Sequence, residues 1–215
     1  MYVSVCHPDI DIMKLLPLRD LRPLDLSHAR DIYDESFPAW EREDFEQVLE
    51  RGTDEGVQQY ACVVEDQIVG LATLSPLRSV GWHFLEYFAL ARDSRSQGLG
   101  NRFWSCIAAR LDNPVVIEVE HPAQPGITAD EILIRLSRIR FWQRAGFTEI
   151  PAINYRVPRF DGRNEHFEPL LLMSTMPPLP PLCSSENLIA ALYAEGYCLA
   201  DAQQRAAASQ NPLYE

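Results

Sequence analysis

HFLEYFALARDSRSQGLGNRFWSCIAARL, residues 83–111, decides how the rest of the chain is read. An apolar run, Phe84 to Leu90, gives way to a polar turn at Arg92-Asp93-Ser94 and then to Arg95-Ser96-Gln97-Gly98-Leu99-Gly100. Beyond it Phe103, Trp104, Ile107, Ala108 and Leu111 recur at three- and four-residue spacing, as on the buried face of a helix. The unit is strand, glycine loop, helix. The first amides of a helix lack intrahelical partners and carry the positive end of its dipole. Two glycines let phosphates approach those amides without a Cβ in the way. Anion binding is one reading; a glycine turn that merely packs a helix on a sheet is the other. A dinucleotide GxGxxG would need a third glycine where Phe103 stands, and the Gly-Lys-Ser/Thr of a P-loop occurs nowhere.

The chain has 215 residues, 47% of them apolar, enough for a sizeable core in one domain with or without an extension. Its 19 Lys+Arg against 31 Asp+Glu give a net charge of -12. Such a surface repels nucleic acid and anionic membrane and attracts cationic partners such as amines. Acidity that only keeps the protein soluble explains the charge equally well. Cys6, Cys62, Cys106, Cys183 and Cys198 lie far apart, without a CxxC, so neither a zinc site nor a disulfide framework is expected. No apolar run approaches the ~20 residues that span a bilayer, and the N-terminus lacks the basic-then-apolar order of a signal peptide. A reducing cytoplasm is the expected compartment.

Outward from the central stretch, residues 1–17 show no period and read as an N-terminal extension. Leu18 to Leu24 reads as a short strand limited by Pro23. A helix follows from about Asp25, with Ala29, Ile32, Tyr33 and Phe37 on one face, and a second from about Ala39 to Gly52. Val57 to Val64 and Ile68 to Leu74 read as an antiparallel hairpin, and Pro76 to Gly81 as a loop. Val115 to Glu120 is a further strand. Thr128-Ala129-Asp130-Glu131 fits a capping box that opens a helix ending near Gly146. Arg135, Arg138, Arg140 and Arg144 crowd that helix, either as a solvated basic face or with one or two facing an anion. Phe147 to Val157 and Pro169 to Ser174 complete the strands. Pro177 to Pro181 is a stiff linker, Ser184 or Ser185 caps a short helix, and the alanine- and glutamine-rich tail is expected to be mobile.

This order of elements resembles the GNAT superfamily of acyl-CoA N-acyltransferases, and two motifs carry the resemblance. Arg95-Ser96-Gln97-Gly98-Leu99-Gly100 is similar to the family's Q/R-x-x-G-x-G/A loop, and Phe141-Trp142-Gln143-Arg144-Ala145-Gly146-Phe147 to its aromatic-x-x-x-G-F element. The resemblance covers roughly Leu18 to Thr175. It implies an α/β fold of the α+β type: a mixed, mostly antiparallel sheet of about seven strands, splayed between the fourth and fifth, with helices on both faces. It also divides the chain into residues 1–17, an acetyltransferase domain at 18–175, and a proline linker with helical tail at 176–215. The cosubstrate it implies is acetyl-CoA, without a metal. The amides of Gln97, Gly98, Leu99 and Gly100 would hold the pyrophosphate, with Arg95, Ser96 and Asn101 beside it. Phe88, Ala89 and Leu90 would offer backbone groups to the pantetheine arm, and Trp142 joins the cosubstrate side.

Attack on a thioester requires a neutral amine, so a group that removes a proton from an ammonium is needed. Alternation puts Glu86 on the strand face of Phe88 and Leu90, and family members often carry a glutamate base on this strand. Glu118 and Glu120 come second. Many members have a tyrosine acid where Trp142 stands here, and an indole cannot give up its proton in this role. Tyr155 or Tyr87 is then the candidate acid, unless the thiolate leaves unassisted; His83, His121 and His166 are further titratable groups. The leading expectation is acetyl transfer to a primary amine of a small cationic molecule, with a homodimer as candidate assembly and no nucleic-acid or membrane partner. The alternatives are a CoA-binding sensor or assembly module, and an enzyme that acetylates protein or peptide amines.

Overall fold

The computed structural model describes residues 13–150, 155–160, 167–175 and 183–208. Its strands are β1 (Lys14–Pro17), β2 (Gln58–Val64), β3 (Gln67–Leu77), β4 (Trp82–Leu90), β5 (Val115–Glu120), β6 (Thr148–Glu149), β7 (Arg156–Pro158) and β8 (Phe167–Ser174). The helices are α1 (Pro23–Ser36), α2 (Phe45–Arg51), α3 (Leu99–Ala108), α4 (Ala129–Arg144), α5 (Ser185–Ala191) and α6 (Ala202–Ala208). The strands follow the order β1-β2-β3-β4-β5-β8-β6, with β7 paired to β8. Pairing is antiparallel for β1 with β2, β2 with β3 and β8 with its three neighbours, and parallel for β4 with β5. The expected mixed, mostly antiparallel sheet is present.

Among the described residues the sheet has eight strands, against the about seven expected, and the difference lies at two places. Lys14–Pro17, expected to be part of an extension, pairs with Tyr60–Val63, while Leu18 to Leu24 is a 3-10 turn followed by the start of α1. Pro23 does not shorten a strand there. It stands at the first turn of α1, where its missing N–H costs nothing. Phe147 to Val157 gives two strands, β6 and β7, with residues 151–154 outside the described set.

The chain divides into two compact units. The first combines the residues up to Leu74 with Glu86–Leu111. Its core packs Ala29, Ile32 and Tyr33 of α1 and Phe45 and Val48 of α2 with Ala61, Leu71, Tyr87 and Ala89 of the strands. The second helix begins at Phe45, not near Ala39, because residues 38–44 are held as a loop. The Tyr33 hydroxyl donates to the Glu43 carbonyl at 3.0 Å, and the Glu43 amide donates to the Tyr87 hydroxyl at 3.2 Å.

The second unit combines Ser75–Leu85 with the residues from Asp112 on. Its core joins Trp82, Phe84, Val116, Leu170 and Leu172 to Leu188, Ile189, Leu192 and Tyr193. Thr128 Oγ1 accepts from the Glu131 amide at 3.2 Å, as the capping box requires, and Gly146 stands at φ 93. Past α5 a π turn, Leu192–Gly196, leads toward α6. The tail expected to be mobile is helical over Ala202–Ala208, and Ala202 and Ala206 are buried in this core. Their small side chains are what close packing against a neighbouring helix needs.

Candidate active site

In the first unit the run after β4 builds a loop with two residues in left-handed conformation, Ser96 at φ 64 and Gly98 at φ 78. Glycine adopts this freely, while for serine it is a strained position of the kind that clusters at ligand sites. A Cβ on Gly98 would meet nothing within 4 Å, so the loop is open on that side. The Arg102 amide bonds the Gly98 carbonyl at 3.4 Å, and the amides ahead of it precede the helix's own ladder. Stacking of Phe88 on Phe103, with centroids 4.8 Å apart, sets α3 on β4. Arg95 is used otherwise than expected: it donates to the Leu90 carbonyl at 2.9 Å and to Ser36 Oγ at 3.0 Å, tying the loop to α1. Gln97 Nε2 donates to the Asp93 carbonyl at 2.6 Å. Asn101 is exposed at the start of α3.

Burial alternates along β4: Tyr87 and Ala89 enter the core, while Glu86, Phe88 and Leu90 are half-buried on the opposite face. Glu86 is not free. Both its oxygens accept from Arg51, at 3.1 and 2.7 Å, and the same guanidinium bonds Glu43. Burial works against the Arg51 charge, but the two carboxylates outweigh it and raise its affinity for the proton. Burial and the nearby Glu86 charge lift the Glu43 carboxyl, against the pull of Arg51. Burial also raises the Tyr87 phenol, whose hydroxyl is engaged with the 38–44 loop.

In the second unit the parallel ladder pairs His83, Phe84 and Leu85 with Val115, Val116 and Ile117. From Glu118 on, β5 is paired only with β8 among the described residues. Glu118 accepts hydrogen bonds from the Tyr155 hydroxyl at 2.5 Å and the Tyr197 hydroxyl at 2.7 Å. Tyr155 is 1% exposed and stacks on Tyr193, and burial followed by the Glu118 charge pushes its phenol far above the usual range. Glu120 is ion-paired with Arg138. Arg135 neither is solvated nor faces an anion from outside: it is buried and bonds the Glu131 carboxylate, the His121 carbonyl and Gln124 Oε1, at 2.9, 2.9 and 2.7 Å. Trp142 is buried edge-on against Phe147. His83 is buried, its Nδ1 has no partner among the described residues, and burial lowers its proton affinity. His121 Nδ1 accepts from the Ala123 amide at 3.1 Å, and His166 lies outside the described residues.

The sequence model of the Acetyltransferase (GNAT) family matches residues 26–127, from α1 through β5 and the loop after it. Over those residues the chain is similar to the GNAT acetyltransferases, and the match indicates an acyltransferase. A GNAT-family protein from Bacteroides thetaiotaomicron shares its fold with a TM-score of 0.69 at 24% identity, over 86% of this chain and 99% of its own. An acyl-CoA N-acyltransferase from Pseudomonas aeruginosa gives 0.51 at 15%, over 78% and 100%. The SpeG spermidine N-acetyltransferase from Vibrio cholerae gives 0.52 at 11%, over 75% and 92%. No curated protein sequence matches the chain. Among the described residues no helix is long and apolar enough to cross a membrane, and no group of three His, Cys, Asp or Glu could hold a metal.

Two side chains that bond these carboxylates carried no signal of that role in the sequence: Arg51 stands just before the Gly52 that ends α2, and Tyr197 lies past α5 in the segment read as a tail. The apolar spacing Leu188, Ile189, Leu192, Tyr193 was the signal that this tail belongs to a core.

Proposed function

We propose that this GNAT domain transfers an acetyl group from acetyl-CoA to the primary amine of a small, cationic acceptor. The observation that carries the reading is the loop at Ser96–Gly98, open on its glycine side and followed by the unladdered first amides of α3. Such a nest fits a pyrophosphate. The amides of Gln97, Gly98, Leu99 and Gly100 hold it, Ser96 and Asn101 line its edge, and Arg95 shapes the loop through Leu90 and Ser36. Phe88, Ala89 and Leu90 give backbone groups to the pantetheine arm. When bound, acetyl-CoA supplies the activated thioester.

Of the candidate carboxylates, Glu86 bonds Arg51 and Glu120 bonds Arg138, and Glu118, past the end of the parallel β4–β5 ladder, accepts from the Tyr155 and Tyr197 hydroxyls. We assign the acceptor's proton to Glu118, with Tyr155 as its hydrogen-bond partner. The net charge of -12 favours a cationic acceptor. The cytoplasm fits the free thiols of Cys62, Cys106, Cys183 and Cys198.

Calorimetry with acetyl-CoA tests the cosubstrate, and absence of binding at high micromolar concentration refutes it. Release of CoA thiol is then followed with spermidine, an aminoglycoside, an amino acid and a peptide; spermidine enters because a fold neighbour bears that name. Turnover with the small amines supports the reading, and turnover with the peptide alone replaces it with a protein-amine acceptor. Tight binding without any turnover replaces it with a CoA-binding module. Glu118→Gln should lower kcat/KM strongly at every pH and Glu86→Gln less; a fully active Glu118→Gln removes that assignment.

A further inference from the structure

Gln59 of β2 is a long polar side chain that is only 8% exposed. Its Nε2 donates to the Val48 carbonyl of α2. A carbonyl only accepts, so this contact fixes which end of the amide faces the helix. Oε1 is turned toward Gly52, where a Cβ would stand 2.2 Å from it, and among the described residues it receives no hydrogen bond. A side-chain oxygen drawn this far into the protein without a donor has given up its bond to bulk water and gained none in return. It marks a place for a group that brings an N–H.

Gly52 and Gln59 line a cavity of about 200 Å³ in the first unit, with Pro17, Leu18 and Val57 as its apolar wall. At ~30 Å³ per water it has room for roughly seven. That excludes acetyl-CoA and admits a molecule the size of a small amino acid. The more exposed lining residues carry donors. Gln58 Oε1 accepts from the Tyr60 hydroxyl at 3.0 Å, which leaves the two Nε2 hydrogens for an outside acceptor. The Arg19 side chain is 75% exposed and its Nε stands 3.9 Å from Asp20, a loose surface pair with donors to spare. One inner acceptor and two outer donor groups match a molecule with an ammonium at one end and a carboxylate at the other. We propose that this cavity binds a free α-amino acid with a small aliphatic side chain, its ammonium on Gln59 Oε1, its carboxylate on Gln58 and Arg19, and its side chain against Leu18 and Val57. None of these residues is assigned above to acetyl-CoA or to the acceptor's proton, so the site stands apart from the acetyl-transfer reading.

Nitrogen-15 NMR of the full chain without acetyl-CoA tests the site by titration with L-valine, with isobutylamine, which offers only the ammonium, and with isobutyrate, which offers only the carboxylate. Valine should shift the Gly52 amide and the Gln59 side-chain NH2 saturably, with a dissociation constant about tenfold below that of either half-molecule, since each of those meets one end of the cavity. Two variants separate the ends. Arg19→Gln changes an exposed side chain and spares the fold; it should weaken valine about tenfold and leave isobutylamine as it was. Gly52→Ala adds a methyl to a backbone at φ -63, which alanine adopts readily, and drives Gln59 Oε1 from its place. It should abolish valine binding while the spectrum stays that of a folded chain, and Arg19→Gln decides alone should that variant not fold. Absence of a saturable shift at Gly52 and Gln59 with valine at tens of millimolar overturns the proposal. So does a half-molecule that binds as tightly as valine, or a valine affinity unchanged in Arg19→Gln. Shifts confined to the loop at Ser96–Gly98 or to Glu118 would make valine an acceptor and overturn it as well.

Discussion

Replacing Arg51 by methionine keeps an unbranched apolar stem and deletes a charge shared by two carboxylates. The side chain of Glu86 is 7% exposed, that of Glu43 25% and that of Arg51 29%, so the pair is largely removed from water. Removing one member of a buried ion pair costs about 3–5 kcal/mol, since the remaining charge stays buried without compensation. The partial exposure of Glu43 and Arg51 places this site at the lower end, about 3 kcal/mol, or a melting temperature lower by roughly 6–12 °C for a chain of this size. The pH dependence has a definite sign. Burial already raises the Glu43 carboxyl above its unfolded value, and without the opposing pull of Arg51 it would bind its proton still more tightly folded than unfolded. A group shifted this way loses stability as pH rises and regains it on acidification. Urea unfolding of wild type and Arg51→Met at pH 7.5 and pH 5 should show a deficit that narrows at the lower pH. A deficit under about 1 kcal/mol at pH 7.5 would mean the pair behaves as an exposed one, and a deficit equal at both values would refute the electrostatic account.

Two further outcomes are expected. Gly98→Ala forces an L side chain to φ 78, which costs roughly 1–2 kcal/mol; urea unfolding should show that loss and calorimetry a weaker acetyl-CoA affinity, and unchanged values for both would detach the loop from binding. The His83 imidazole is buried and its proton affinity is lowered by burial, so the unfolded chain binds its proton first. The protein should therefore lose stability as pH falls below about 6.5, the unfolded histidine value. His83→Gln should flatten that part of the profile, and an unaltered slope assigns it to other groups.

What the sequence announced was local. The Thr128 cap, the Gly146 stop and the glycine turn ahead of α3 each occupy a few adjacent residues and were legible because capping chemistry needs only neighbours. What it hid was pairing at a distance. β1 is four residues with a lysine and a proline, too short for a period, and becomes a strand only through Ala61, Cys62 and their neighbours in β2. The Arg51–Glu86 pair joins residues 35 apart and the Tyr197–Glu118 bond residues 79 apart, and no spacing rule reaches so far. Alternation placed Glu86 correctly on the face of Phe88 and Leu90, yet it could not say that an arginine from α2 would already hold both oxygens. On α4 four arginines looked alike; burial against His121 and Gln124 singled out Arg135.

The reliance of the second unit on α5 and α6 bears on how the chain folds while it is being made. Trp82, Phe84 and Val116 leave the ribosome well before Leu188, Ile189 and Tyr193, which complete their core. At ~5–20 residues per second, a nascent chain at Thr175 still waits seconds for that cover. The first unit, whose cluster around Tyr33 and Tyr87 is complete by Ala91 and whose buried α3 residues are complete by Ala108, has no such wait. During synthesis the exposed face of the sheet around Trp82 and Phe84 is the surface that a chaperone would meet first.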